Sequence, residues 1–136
     1  MAALTTRERL IDEAVDLFYQ RGFQAVGLDQ ILHRVGITKT AFYKHFESKD
    51  DLIVAVLHKR DGDDLAEMVK CMDELGGRDP RKRLLALFEV LDRMLRDPGF
   101  RGDLFMNAAT EFPLQNDPIH RAAAAHGDHI AEIVHK

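Results

Sequence analysis

Residues 28–46 read LDQILHRVGITKTAFYKHF, and the order of apolar and polar positions along them decides the fold. A short helical pattern from Leu28 to Val35 runs into Gly36-Ile37, and a second short pattern starts at Thr38. In the second segment Ala41, Phe42 and Phe46 share one side, while Lys39, Thr40, Tyr43 and Lys44 share another. Two short helices joined by a tight glycine-containing turn form a helix-turn-helix, whose second helix can lie in the major groove of DNA. The stretch therefore points to a gene-regulatory DNA binder. Ile31, Val35, Ala41, Phe42 and Phe46 are expected to be core, holding the two helices at their angle.

The polar side carries chemistry suited to a duplex. Lys39 and Lys44 can reach phosphates or guanine edges, and Thr40 can hydrogen-bond a base or touch a thymine methyl. Tyr43 offers a rigid ring whose hydroxyl suits a phosphate oxygen. The free N–H groups at Thr38 favour anions. With His45 at the far end, Thr38–His45 is expected to be a rod with one wet and one dry side. Lys49, just beyond it, is expected to add a flanking phosphate contact. For such a segment alone, a plain solvated helix face remains the alternative, because the same geometry occurs in helical proteins that bind no DNA.

Outward from this stretch the chain reads as five to seven helices. Leu10, Ile11, Ala14, Val15, Leu17 and Phe18 stripe a first helix over about residues 6–21, with Thr5 or Thr6 as cap and Gly22 as stop. Ser48 caps a fourth helix that starts with acids and carries Leu52, Ile53, Val56 and Leu57. That helix either continues through Leu65, Met68, Met72 and Leu75 or kinks at Gly62, where glycine costs about 1 kcal/mol relative to alanine. Gly76-Gly77 ends it and is the candidate boundary. Asp79-Pro80 opens a fifth helix, apolar over much of its circumference and so expected to be central. A sixth is expected over 100–111, and a seventh from Asn116-Asp117-Pro118 onward. Ile133-Val134-His135-Lys136 comes while the apolar stripe is still running, which reads as a helix cut short.

Composition agrees with an all-α fold. The 136 residues are 46% hydrophobic and 31% charged, lack tryptophan and hold four prolines. No apolar run approaches the roughly 20 residues needed to cross a bilayer. Cys71 is the single cysteine, so no intrachain disulfide forms, and a cytoplasmic location is expected. A net charge of −4 argues at first against nucleic acid. Its distribution reverses that argument. Residues 1–60 hold nine Lys and Arg against eight Asp and Glu, residues 61–136 ten against fifteen, and residues 28–49 four against two. Phosphates need cations only where the DNA backbone runs.

The segment over about residues 6–57 resembles the TetR family of transcriptional regulators. The residues that carry the resemblance are Ile11-Asp12-Glu13-Ala14, Leu17-Phe18, Gly22-Phe23, Asp29-Gln30-Ile31, Gly36-Ile37-Thr38-Lys39, Phe42-Tyr43-Lys44-His45-Phe46 and Lys49-Asp50-Asp51-Leu52. A weaker likeness runs from Phe105 to Pro113. Gly27 stands where members often have a Ser or Thr cap, and Thr40 where Gly or Ala is common. The resemblance implies a homodimeric, ligand-responsive repressor of a palindromic operator, in which an effector bound in the body moves the fourth helix and with it the reading heads. It also implies two further dimer-forming helices that this chain does not reach.

The remaining helices invite three further readings. Met68, Met72, Phe88, Leu91, Phe105 and His126 could surround a small-molecule effector, because Met and Phe adapt to irregular shapes; ordinary core packing is the alternative for each. His120, His126, His129 and Glu132 suggest metal ligands, but such histidines more often line pockets or face solvent, so no metal and no cofactor is expected. Cys71 sits in an amphipathic run and is expected to be buried. No phosphate loop, nucleophile elbow or convincing carboxylate pair is present, so no enzyme is expected.

The expected architecture is a helix-turn-helix head over 1–47, a connector over 48–75 and a partial helical regulatory body over 76–136. Double-stranded DNA, a small-molecule effector and a second copy are the expected partners, with no membrane. A helical ligand-binding or interaction module without a transcriptional role is the alternative.

Overall fold

The computed structural model describes residues 3–135; Met1, Ala2 and Lys136, which belong to the expected head and to the end of the seventh helix, lie outside them. The described residues form seven α-helices and no strand: α1 Thr6–Arg21, α2 Leu28–Val35, α3 Lys39–Tyr43, α4 Lys49–Gly76, α5 Pro80–Arg96, α6 Leu104–Glu111 and α7 Pro118–His135.

Local chemistry sets each start. Thr5 and Glu8 form a reciprocal box in which the Thr5 hydroxyl accepts from the Glu8 N–H at 3.1 Å and the Glu8 carboxylate from the Thr5 N–H at 2.8 Å. Ser48 accepts from the Asp51 N–H at 3.0 Å, and Asp51 in return accepts from the Glu47 N–H at 3.0 Å. Asp79 caps α5, with Pro80 in its first turn. At the end of α2, Gly36 adopts φ 82° and ψ 39°, a left-handed conformation that a side chain resists.

One open alternative is decided and three expectations change. The helix does not break at Gly62: α4 runs on for 28 residues, with Gly62 exposed and the apolar stripe on either side keeping its period. The sixth helix begins at Leu104 rather than near 100. Gly102 turns the chain with φ 91°, and the Asp103 carboxylate then accepts from the N–H groups of Phe105 and Met106 at 2.8 and 3.0 Å, which makes Asp103 the cap. The rod expected over Thr38–His45 is a five-residue α-helix with Thr38 as cap. Its coil is extended by three-residue bonds, Lys44 N–H to Ala41 and His45 N–H to Phe42, at 3.3 and 2.9 Å. Finally, α5 is not central. Of its residues only Ala86 is buried, and Leu84, Leu85, Phe88, Leu91 and Leu95 are exposed, because α4 meets only one face of it.

One continuous core joins the head to part of the body. Leu10, Phe18, Phe23, Ile31 and Phe42 from the head pack into the same cluster as Leu52 and Val56 of α4, Phe105 and Ala108 of α6, and Ile119 of α7. A second, smaller cluster of Met68, Met72 and Ala86, with Leu65, Leu87, Ile130 and Ile133 against it, joins α4, α5 and α7. Cys71 is buried there, its Sγ 4.0 Å from the Ala86 carbonyl. The close approach of α4 and α5 needs Gly76: a Cβ at that position would lie 2.5 Å from the backbone nitrogen of Arg83. No helix among the described residues is long and apolar enough to cross a membrane.

Candidate nucleic-acid interface

The geometry of α3 follows from its anchor. Phe42 is fully buried, stacked on Phe46 at 5.6 Å and met edge-on by Tyr43 at 5.2 Å. The Arg7 guanidinium lies 5.1 Å from the Phe46 ring centroid, covering its outer side. The preceding turn is closed by Gly36 N–H and Ile37 N–H, both donating to the Leu32 carbonyl at 2.8 and 3.2 Å. Arg9 donates to the Val35 carbonyl at 2.7 Å, and Arg34 pairs with Glu13 and Asp16 at 2.8 and 2.6 Å, fastening α2 to α1. With one side of α3 locked in this way, the other side has a fixed direction.

That outer side presents Thr38, Lys39, Thr40, Tyr43, Lys44 and His45, all exposed, with Tyr43 55% accessible. The Thr38 hydroxyl oxygen accepts from the Ala41 N–H at 3.1 Å as a cap, which leaves its own hydrogen available to an anion. Lys39 lies 3.6 Å from Asp29, both ends well exposed, a pairing that solvent and salt weaken. Ala41, expected as core, is only half-buried. Lys49 differs from the other six. It is half-buried, its Nζ 3.5 Å from the Gln24 carbonyl. Burial pulls its ammonium below the usual lysine range, while the charges of Asp50 and Glu111 pull the other way.

The six residues considered for an effector fall into four places. Met68, Leu91 and His126 line a groove of about 380 Å³ between α4, α5 and α7, with Leu65, Leu87 and Ile130 as apolar wall and Asp64, Glu67 and Asp103 on its rim. Met72 packs in the smaller core beside Met68. Phe105 is buried in the main core and stacks flat on His126 at 3.7 Å, while Phe88 is 68% exposed on the outside of α5 and does not line the groove.

The histidines of α7 turn to a carboxylate. Asp61 on α4 lies 2.7 Å from Nδ1 of His126 and 2.7 Å from Nδ1 of His129, and an ionised carboxylate, which can only accept, takes a hydrogen bond from each ring. His120 instead approaches the Phe112 carbonyl through Nδ1 at 2.9 Å. Among the described residues no group of three or more His, Cys, Asp or Glu side chains is arranged to hold a metal ion.

Two features lie outside the sequence-based expectations. One is Asp61, which ties α4 to α7 across 65 and 68 positions of sequence. The other is Glu111, whose carboxylate accepts from the backbone N–H groups of Phe23 and Gln24 at 2.8 and 2.9 Å. No local spacing announces either, because each partner lies on a distant helix.

Comparison with known proteins converges on the same region. The family model described as "Bacterial regulatory proteins, tetR family" matches residues 10–56. An HTH-type transcriptional regulator of Bacillus subtilis, YerO, itself uncharacterised, is 33% identical over 78 residues, covering 57% of this chain and 27% of that protein. The crystal structure of a TetR-family transcriptional regulator from Streptomyces coelicolor superimposes with a TM-score of 0.85 at 34% identity, over 90% of this chain and 64% of that one. A candidate TetR-type regulator from Streptomyces avermitilis superimposes with a TM-score of 0.80 at 30% identity, over 93% of this chain and 68% of that one. The chain thus spans about a quarter of the Bacillus relative and about two thirds of the solved Streptomyces chains.

Proposed function

The chain belongs to the TetR family of bacterial regulatory proteins, and from that premise we propose that it is a ligand-responsive repressor, not an enzyme, that acts in the cytoplasm. It reads a palindromic operator as a homodimer, with α3 and its flanking turn in the major groove. The observation that carries this reading is the division of α3. Phe42 and Phe46 are buried, while Lys39, Thr40, Tyr43 and Lys44 stand outward on a helix that cannot rotate without exposing two phenylalanines. Thr40 and Lys44 read base edges, Tyr43, Lys39 and His45 hold the phosphate backbone, and Thr38 and Lys49 hold phosphates at either end.

Regulation runs through α4. A 28-residue helix is about 42 Å long at 1.5 Å per residue, so it carries a displacement in the body to the head. Asp61, near its middle, is tied to His126 and His129, and the groove beside this tie is the effector site. Two heads must stand about 34–36 Å apart to meet both half-sites, so a shift of α4 releases the operator when the effector prefers the shifted state. The exposed apolar face of α5 favours an assembly over a lone chain. A helical module without a transcriptional role is not favoured, since it has no use for a cationic, outward-facing α3.

The test is a gel shift with the DNA upstream of its own gene, repeated across a salt series. Specific binding should weaken steeply as salt rises. Tyr43→Ala and Lys44→Ala should each weaken binding about tenfold with helical content unchanged by circular dichroism. Equal affinity of both variants and the parent chain would remove α3 from the interface.

A further inference from the structure

Helix α6 is fastened to the end of α1 at both of its own ends. Ahead of it, the Tyr19 hydroxyl donates to the Gly102 carbonyl and accepts from the Arg101 N–H, both at 2.7 Å, and Arg101 donates to the Gln20 carbonyl at 3.1 Å. At its last residue, the two oxygens of the Glu111 carboxylate accept separately from Phe23 N–H and Gln24 N–H, and the Glu111 carbonyl accepts from the Gln24 side-chain amide at 2.9 Å. The turn between α1 and α2 is thereby held by a residue 87 and 88 positions away. The fit is close: a Cβ on Gly22 would lie 3.3 Å from a Glu111 oxygen. The Gln24 carbonyl, on the outer side of this turn, is the group that faces the Lys49 ammonium at 3.5 Å.

We propose that Glu111 is a positioning residue for DNA reading: by clamping the 22–24 turn it holds the Gln24 carbonyl, which aims Lys49 at the phosphate flanking α3. The inference rests on the DNA reading proposed above and extends it from the head into the body. The arrangement uses both oxygens of the carboxylate. Here each N–H takes its own carboxylate oxygen, and a glutamine in the same place would turn its NH₂ donor toward one of them. The negative charge strengthens both bonds and also attracts Lys49. The proposed effector groove reaches Asp103, the cap of α6, so movement of that helix reaches Lys49 by a route separate from α4.

The experiment measures binding of the full chain to the same upstream duplex by fluorescence anisotropy at rising salt, reading the slope of log affinity against log salt. Glu111→Gln should lower affinity about tenfold and flatten the slope by about one, the signature of one lost phosphate contact. Lys49→Ala should flatten it equally, and the double variant no further. Tyr19→Phe, which cuts only the other end of α6, should keep the parent slope. Weakened binding with an unchanged slope in Glu111→Gln overturns the proposal, because that is simple loss of structure, and so do slope losses that add in the double variant. Lys49→Ala leaves the clamp intact, so an unchanged slope there overturns the proposal even where Glu111→Gln does not fold. A parent chain that leaves the duplex unbound overturns the DNA reading as well, an outcome distinct from all of these.

Discussion

The three-helix head and helix α5 are both rich in Leu and Phe and treat them oppositely. In the head, Leu10, Phe18, Phe23, Ile31 and Phe42 lose essentially all exposure, whereas in α5 Leu85, Phe88 and Leu95 each keep more than half. The difference lies in how many neighbours each stripe meets. Helices α1, α2 and α3 wrap one phenylalanine cluster from several sides and close it with α4. Helix α5 meets α4 along one face, where Ala86 is its one buried residue and Arg83 and Leu87 lie on either side, so a stripe wider than that contact face stays open. The core apolar residues of the head are covered on all sides, by one another and by α4, α6 and α7. The outer face of α5 is available to another surface.

This contrast can be broken most directly at two phenylalanines. Phe42→Ala should cost about 3–5 kcal/mol in urea unfolding, because a fully buried ring leaves a cavity beside Phe46. Phe88→Ala, measured at dilution, should change stability by less than about 0.5 kcal/mol. Similar losses at both sites would mean that α5 is as well packed as the head.

A smaller effect tests the seam between head-bearing helix and body. Asp61→Asn leaves one amide to face two imidazoles and should cost about 1–3 kcal/mol, read from the urea midpoint. No change would show that α4 and α7 are held by apolar packing alone. The mildest change is Thr38→Ala, which removes the cap of α3 and should cost about 1 kcal/mol. A larger loss there would make the cap, rather than the Phe42 anchor, the main support of α3.

How far these features could be read in advance depends on range. The starts at Thr5, Ser48 and Asp79, the stop at Gly36 and the buried side of α3 are set by residues within four positions of one another, and the pattern shows them directly. The expected centrality of α5 rested on the same periodicity and did not hold, because a wide apolar stripe states a need for cover without stating what supplies it. The start of α6 was misplaced for a local reason: Gly102 and Asp103 form a turn and cap that outweigh the helical content of residues 100–103. Lys49 was legible as a cation just beyond α3, but its half-burial against Gln24 was not.

The amino-acid order alone determined the helix-turn-helix, its dry and wet sides and the all-helical class, since capping, glycine conformation and 3.6-residue periodicity act between near neighbours. Tertiary structure alone decided that Asp61 gathers two histidines from α7 and that Glu111 grips the turn after α1. Both join groups more than 60 positions apart, and only packing of the helices around the shared core brings such groups within hydrogen-bond reach.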